Sequence, residues 1–155
     1  MLYRFLVHIH SALRWVVLSA MIIVIIRSAL LLMTHGNEGR SGSRIPGLAL
    51  SLLHTQVFIG LILYFISPKV VFAVSAFSNR FLRFFLTEHI SLMIIAAVLA
   101  TIGVIKAKRV TTQKKHTRLL LFFLMAFIII LTSIPWPWER LSAGWIWWSG
   151  VMWSL

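Results

Sequence analysis

Six histidines hold most of the chemistry open to this chain: His8, His10, His35, His54, His89 and His116. A neutral imidazole offers one nitrogen lone pair to a metal and one N–H to a hydrogen-bond acceptor. Acids are few, namely Glu38, Glu88 and Glu139. There is no cysteine, which removes disulfides, thiolate metal sites and iron–sulfur clusters. No nucleophile–base arrangement, phosphate loop or carboxylate pair is spaced for other catalysis. Imidazole ligation is therefore the chemistry to set against the elements that must position it.

Those elements are membrane helices. Of 155 residues, 60% are hydrophobic and 12% charged, with mean hydropathy +0.95. A soluble domain carries about a quarter charged residues. This composition leaves no surface for water, so lipid is the solvent. Four apolar runs reach the ~20 residues of a span, at about 6–33, 45–68, 84–105 and 117–136. The first is read as retained, because no small-residue cleavage pattern follows it. The expected fold is all-α: one domain over 1–155, an up-down-up-down four-helix membrane bundle with an interfacial tail at 137–155. In the connections, 34–44 reads as a flexible loop. Residues 71–76 read as an interfacial helical turn, and Ser78-Asn79-Arg80 as a helix start. The tail crowds Trp138, Trp145, Trp147, Trp148 and Trp153 behind Trp136. Tryptophan favours the headgroup level, so the tail is read as an anchor, with a docking surface for a partner subunit as the alternative.

The net charge is +12. In a soluble domain that would suggest nucleic acid. Here the basic residues sit in loops, where they meet anionic headgroups and set topology, so no nucleic-acid partner is expected. The loops after helices one and three carry Arg40, Arg44, Lys106, Lys108, Arg109, Lys114, Lys115 and Arg118. The opposite side has Arg4, Lys69, Arg80, Arg83 and Arg140. The positive-inside rule then places both termini outside.

Each helix has a histidine near its N-terminal end. His10 and His89 fall at the outer level, on helices one and three. His54 and His116 fall at the inner level, on helices two and four. In such a bundle these helix pairs form the two diagonals. Neighbouring axes ~8–10 Å apart make a diagonal of roughly 11–14 Å. That is the span of two imidazoles with one iron between them, and a flat macrocycle can stand in the core. The expectation is two b-type haems, with metal ligands His10/His89 and His54/His116. Arg14 lies one turn beyond His10, and a buried arginine in a span needs an anion. A haem propionate would supply one, with Arg83 serving likewise. Ala96, Ala100 and Gly103 either make room for a ring or let a helix approach closely. Phe58, Phe123 and Phe127 lie near the faces of His54 and His116, placed to pack against a macrocycle.

Plainer readings stand beside these. His8 and His35 read as interfacial, although His8 competes with His10 for the outer site. His116 lies in a Lys/Arg-rich stretch, where a solvated cap is the plain reading. Glu88 reads as a cap for the start of helix three, with proton acceptance from a quinol as the alternative. Zinc or copper fits less well, because the two histidine pairs lie at opposite ends of the bundle. Helices two and four contain no acid, which argues against a proton pump or cation transporter.

The stretches VHIHSALRW, LLHTQVFIGLILYFISPKV, LRFFLTEH, KKHTR and LTSIPWPW resemble a family of small four-helix bacterial membrane proteins labelled as b-type cytochromes. The resemblance covers nearly the whole chain and leaves out the tail after Gly144. It implies a haem-binding electron-transfer protein of the bacterial inner membrane. His10, His54, His89 and His116 are the matching positions, together with Arg14 and Trp15. The expected function is a dihaem cytochrome b passing electrons across the membrane. It would be a subunit or partner of a quinol-linked redox system rather than a stand-alone enzyme, meeting other membrane or periplasmic redox proteins. A quinone is the further cofactor such a role admits. The alternative is a cofactor-free accessory subunit of a membrane complex.

Overall fold

A computed structural model describes residues 1–34, 44–110 and 112–136. Of these, 87% are helical and none is in a strand. Four helices are long and apolar enough to cross a membrane. They are α1 (Leu2–Met33), α2 (Ile45–Ile66), α3 (Arg80–Ala107) and α4 (Thr112–Ser133). The fold is an all-α membrane four-helix bundle. The Trp-rich tail at 137–155 and His35 lie outside the described residues.

α1 packs against α2 and α4, and α3 against the same two, so α1/α3 and α2/α4 are the diagonals. The buried positions explain the packing. One stripe of them runs Val17, Met21, Val24, Ser28 on α1, with Leu18 buried beside it, and Pro46, Ala49, Leu53, Gln56 on α2. On α3 they run Ala96, Ala100, Gly103, Ala107, and on α4 His116, Leu119, Phe123, Ala126, Ile130, Ser133. Steps of three and four alternate on every helix. This is the seam of a left-handed bundle packed knobs into holes. Outside the seam, large apolar side chains such as Phe58, Ile23 and Ile128 are exposed, as lipid-facing residues must be.

The ends have local causes. α2 stops at Ile66 rather than 68, because Ser67 precedes Pro68 and takes an extended conformation. α3 begins at Arg80, earlier than 84. The Asn79 side chain caps it, with Oδ1 accepting from the Phe81 and Leu82 N–H groups at 2.9 and 3.3 Å. The expected start at 78–80 is thus met, and the interfacial turn lies at Val74–Ser78 rather than 71–76. α1 and α4 also begin earlier than expected, at Leu2 and Thr112. No proline or glycine interrupts residues 2–6 or 112–117. At the basic end, Arg118 donates to the Lys106 carbonyl at 2.7 Å and satisfies a terminal acceptor of α3.

α3 is not uniform. Phe84–Glu88 forms a π-helical segment, in which the His89 N–H bonds the Phe84 carbonyl five residues back. One residue is thereby inserted into the turn, rotating everything before it relative to everything after. The Tyr64 hydroxyl donates to the Leu86 carbonyl at 2.9 Å, tying this segment to α2.

Candidate functional site

Extending each seam toward the end of the bundle that carries the N-terminus gives the site. Two steps back from Val17 on α1 come Arg14 and then His10. Two steps back from Ala96 on α3 come Met93 and then His89. Beyond Gln56 on α2 comes Gly60. All six line one cavity of about 160 Å³. His10 and His89, expected to share a level on the α1/α3 diagonal, share this cavity. His8 is exposed and does not line it. Two residues apart on a helix, the two side chains point nearly opposite ways.

The hydrogen bonds fix much of the chemistry. α4 ends at Ser133, just before Ile134 and Pro135, and a helix leaves its last carbonyls without intrahelical partners. His89 Nδ1 lies 2.8 Å from the Ser133 carbonyl oxygen. A carbonyl only accepts, so Nδ1 carries the proton and Nε2 keeps the lone pair. This is how a ligating histidine is usually oriented. The Ser133 hydroxyl turns back to the Ile129 carbonyl at 2.6 Å, holding that helix end in place.

His10 is held differently. Its backbone carbonyl accepts from Gln56 Nε2 at 2.9 Å. Its ring lies against Gly60, where a Cβ would come within 3.0 Å of His10 Cε1. Its Nδ1 is buried and has no hydrogen-bond partner among the described residues, and the same holds for Gln56 Oε1. A buried polar atom without a partner is costly and marks a place for a ligand or an ion.

Tyr3, Ser67, Lys69 and Phe85 also line the cavity, Ser67 and Lys69 lying just beyond the end of α2 at Ile66. Ser67–Val70 is a turn closed by the Val70 N–H on the Ser67 carbonyl at 3.1 Å, with Pro68 in its favoured second position. Ser67 Oγ also accepts from the Lys69 N–H at 3.2 Å and pairs with the Tyr3 hydroxyl at 3.4 Å.

The other expected ligands stand elsewhere. His54 and His116 do not line the cavity. His54 falls one residue past Leu53 on the α2 seam, so it is exposed on the outside of the bundle, with Nε2 3.0 Å from Thr101 Oγ1 of α3. The α2 seam residue is Gln56. His116 is on the α4 seam and 1% exposed, which corrects the reading of it as a solvated cap. Arg83 also lies away from the cavity, its Nε donating to Glu88 Oε1 at 2.9 Å on an exposed face. Glu88 is accordingly a partner of Arg83 and not a helix cap, since the helix starts at Arg80. Ala96, Ala100 and Gly103 serve helix approach: a Cβ at Gly103 would lie 2.5 Å from Phe122 Cβ. Phe123 is fully buried in the seam, and Phe58 faces outward. Trp15 is exposed, with Arg14 5.3 Å over its ring and Trp136 edge-on at 6.4 Å.

Sequence reasoning missed Gln56, Lys69, Tyr64 and the Ser133 carbonyl. Gln56 carried a signal, being an amide inside an uncharged span. The Ser133 carbonyl carried one as well, in the Ser-Ile-Pro that ends the last helix.

No group of three or more His, Asp or Glu side chains able to hold a metal ion occurs among the described residues. The cavity offers two imidazoles. That matches the number of axial ligands a haem iron takes from protein, and is too few for a closed tetrahedral zinc site. The ligand set therefore suits a haem. Its volume of about 160 Å³ is nearer that of a benzene site than the roughly 300–1,000 Å³ of a cofactor pocket, so taking up a macrocycle requires the lining side chains to move apart. Comparison with protein-family models, with curated proteins and with solved structures finds no match for this chain.

Proposed function

We propose that the chain is a membrane electron-transfer protein that holds one b-type haem between His10 and His89. The observation that carries the reading is the pair itself. Two seam histidines on diagonal helices line one cavity, and one of them has its Nδ1–H committed to a backbone carbonyl. When bound, the haem would supply one-electron redox chemistry. His10 and His89 would be its ligands, Arg14 its half-buried cation, and the largely apolar lining would limit water. A second haem between His54 and His116, as the sequence suggested, draws no support from the outward placement of His54. We place the protein in the bacterial inner membrane, with the basic end toward the cytoplasm and the cavity toward the other face. There it would exchange electrons with a quinol pool and a membrane or periplasmic redox partner.

The cofactor-free accessory subunit draws its support from the small volume of the cavity. One experiment separates the two. The protein, expressed with haem supply and purified in mild detergent, is examined by reduced-minus-oxidised spectrum and pyridine haemochrome count. A b-type spectrum at about one haem per chain is expected. A folded, colourless protein would leave the accessory subunit as the reading.

A further inference from the structure

The cavity lining has two cations, Arg14 and Lys69, and among its described residues no acid. Arg14 lies on the inner side of His10, one turn along α1. Lys69 lies just beyond the end of α2, on the pinned Ser67–Val70 turn. Its ammonium stands 5.6 Å from the centre of the Phe85 ring. That ring in turn is 6.2 Å from the ring of His89. A cation is thus held beside an aromatic ring that neighbours a proposed ligand, on the lining of the same cavity. Partial burial lowers the Lys69 pKa below the ordinary lysine value. The turn fixes the backbone that presents this side chain, so less freedom is lost when it pairs.

We propose that Lys69 is the anion anchor of this cavity, selecting an amphipathic ligand whose apolar body enters between His10 and His89 and whose carboxylate stays at Lys69. The inference rests on the haem reading, in which the carboxylate is a propionate. It replaces Arg83, which does not line the cavity, as the cation at this end.

The test is a double-mutant cycle between protein and ligand. Haem and haem dimethyl ester, which lacks both carboxylates, are titrated into the wild-type protein and into Lys69→Gln in detergent, with the Soret band as readout. Wild type should bind haem about tenfold more tightly than the ester, the scale of a charge-assisted hydrogen bond. Lys69→Gln should weaken haem by a similar factor and leave the ester nearly unchanged, and Lys69→Arg should restore most of the loss. If wild type and Lys69→Gln bind haem equally well, or if the ester loses as much as haem, the anchor is overturned while the haem reading stands. If wild type binds neither porphyrin, the haem reading falls and takes the anchor with it.

Discussion

The two ends of the bundle began as equals, each with a histidine pair at one depth on one diagonal. The folded chain treats them differently. At the amino-terminal end, His10 and His89 extend the seams of α1 and α3, so both enter the same cavity. At the basic end, His116 extends the α4 seam and is buried, but His54 is one residue off the α2 seam and turns outward to Thr101. One residue on a helix is about 100° of rotation, enough to carry a side chain from core to lipid. Depth in the membrane is therefore half of a ligand's address, and azimuth is the other half.

The sharpest way to break this contrast is to remove the histidines singly. His89→Ala and His10→Ala should each lower haem content by tenfold or more, since one of two axial ligands is lost. His54→Ala should keep haem content within a few tens of per cent of wild type. Pyridine haemochrome counts on purified, monodisperse protein decide it. A His54→Ala protein that loses its haem while His10→Ala keeps it would reverse the comparison.

Much of this was legible in the sequence. Four apolar runs fixed four spans, and short connections fixed which helices are neighbours. The depth of each histidine followed from its distance along its span. Azimuth was harder, because nearly every face of these helices is apolar and hydropathy gives no direction. The legible clue was size rather than polarity. Ala96, Ala100, Gly103 and Ala107 mark the α3 seam and lead back in steps of three and four to His89. On α2, Pro46, Ala49, Leu53 and Gln56 pass beside His54 and not through it. The π-helical segment was beyond reach, because no residue type in FFLTE demands it. Nor could partners as remote in sequence as His89 and Ser133 be read without the packing.

Two glycines sharpen the comparison at a smaller scale. Gly103→Ala would set a Cβ 2.5 Å from Phe122 Cβ, an atom close to the α4 backbone that cannot swing away. α3 and α4 must separate, at a cost of about 1–3 kcal/mol. A lowered midpoint of thermal unfolding in detergent is the measurement. Gly60→Ala differs, because its Cβ would meet His10 Cε1 at 3.0 Å, and a side-chain ring has more freedom to turn than a backbone-proximal carbon. Stability should change by less than about 1 kcal/mol, while haem affinity falls several-fold as the ring is pushed from its place. An equal loss of stability in both variants would mean that the His10 ring is as immobile as the helix packing.

The smallest expected effect concerns Arg83, which sequence reasoning set beside Arg14 as a propionate partner. Its Nε is bonded to Glu88, and both side chains are more than 40% exposed. An exposed ion pair contributes about 0–1 kcal/mol, less at high salt. Arg83→Gln should therefore leave haem content, haem affinity and the preference for haem over its dimethyl ester unchanged. Thermal stability should fall slightly, and the difference should shrink as salt is raised. The cation that faces the cavity on this side is Lys69, on the turn after α2, not Arg83 on the first turn of α3. An Arg83→Gln protein that lost the preference for free carboxylates would place the anchoring cation on α3. The Arg83–Glu88 pair would then have to open when ligand arrives, and Glu88→Gln, by freeing Arg83, should strengthen haem binding.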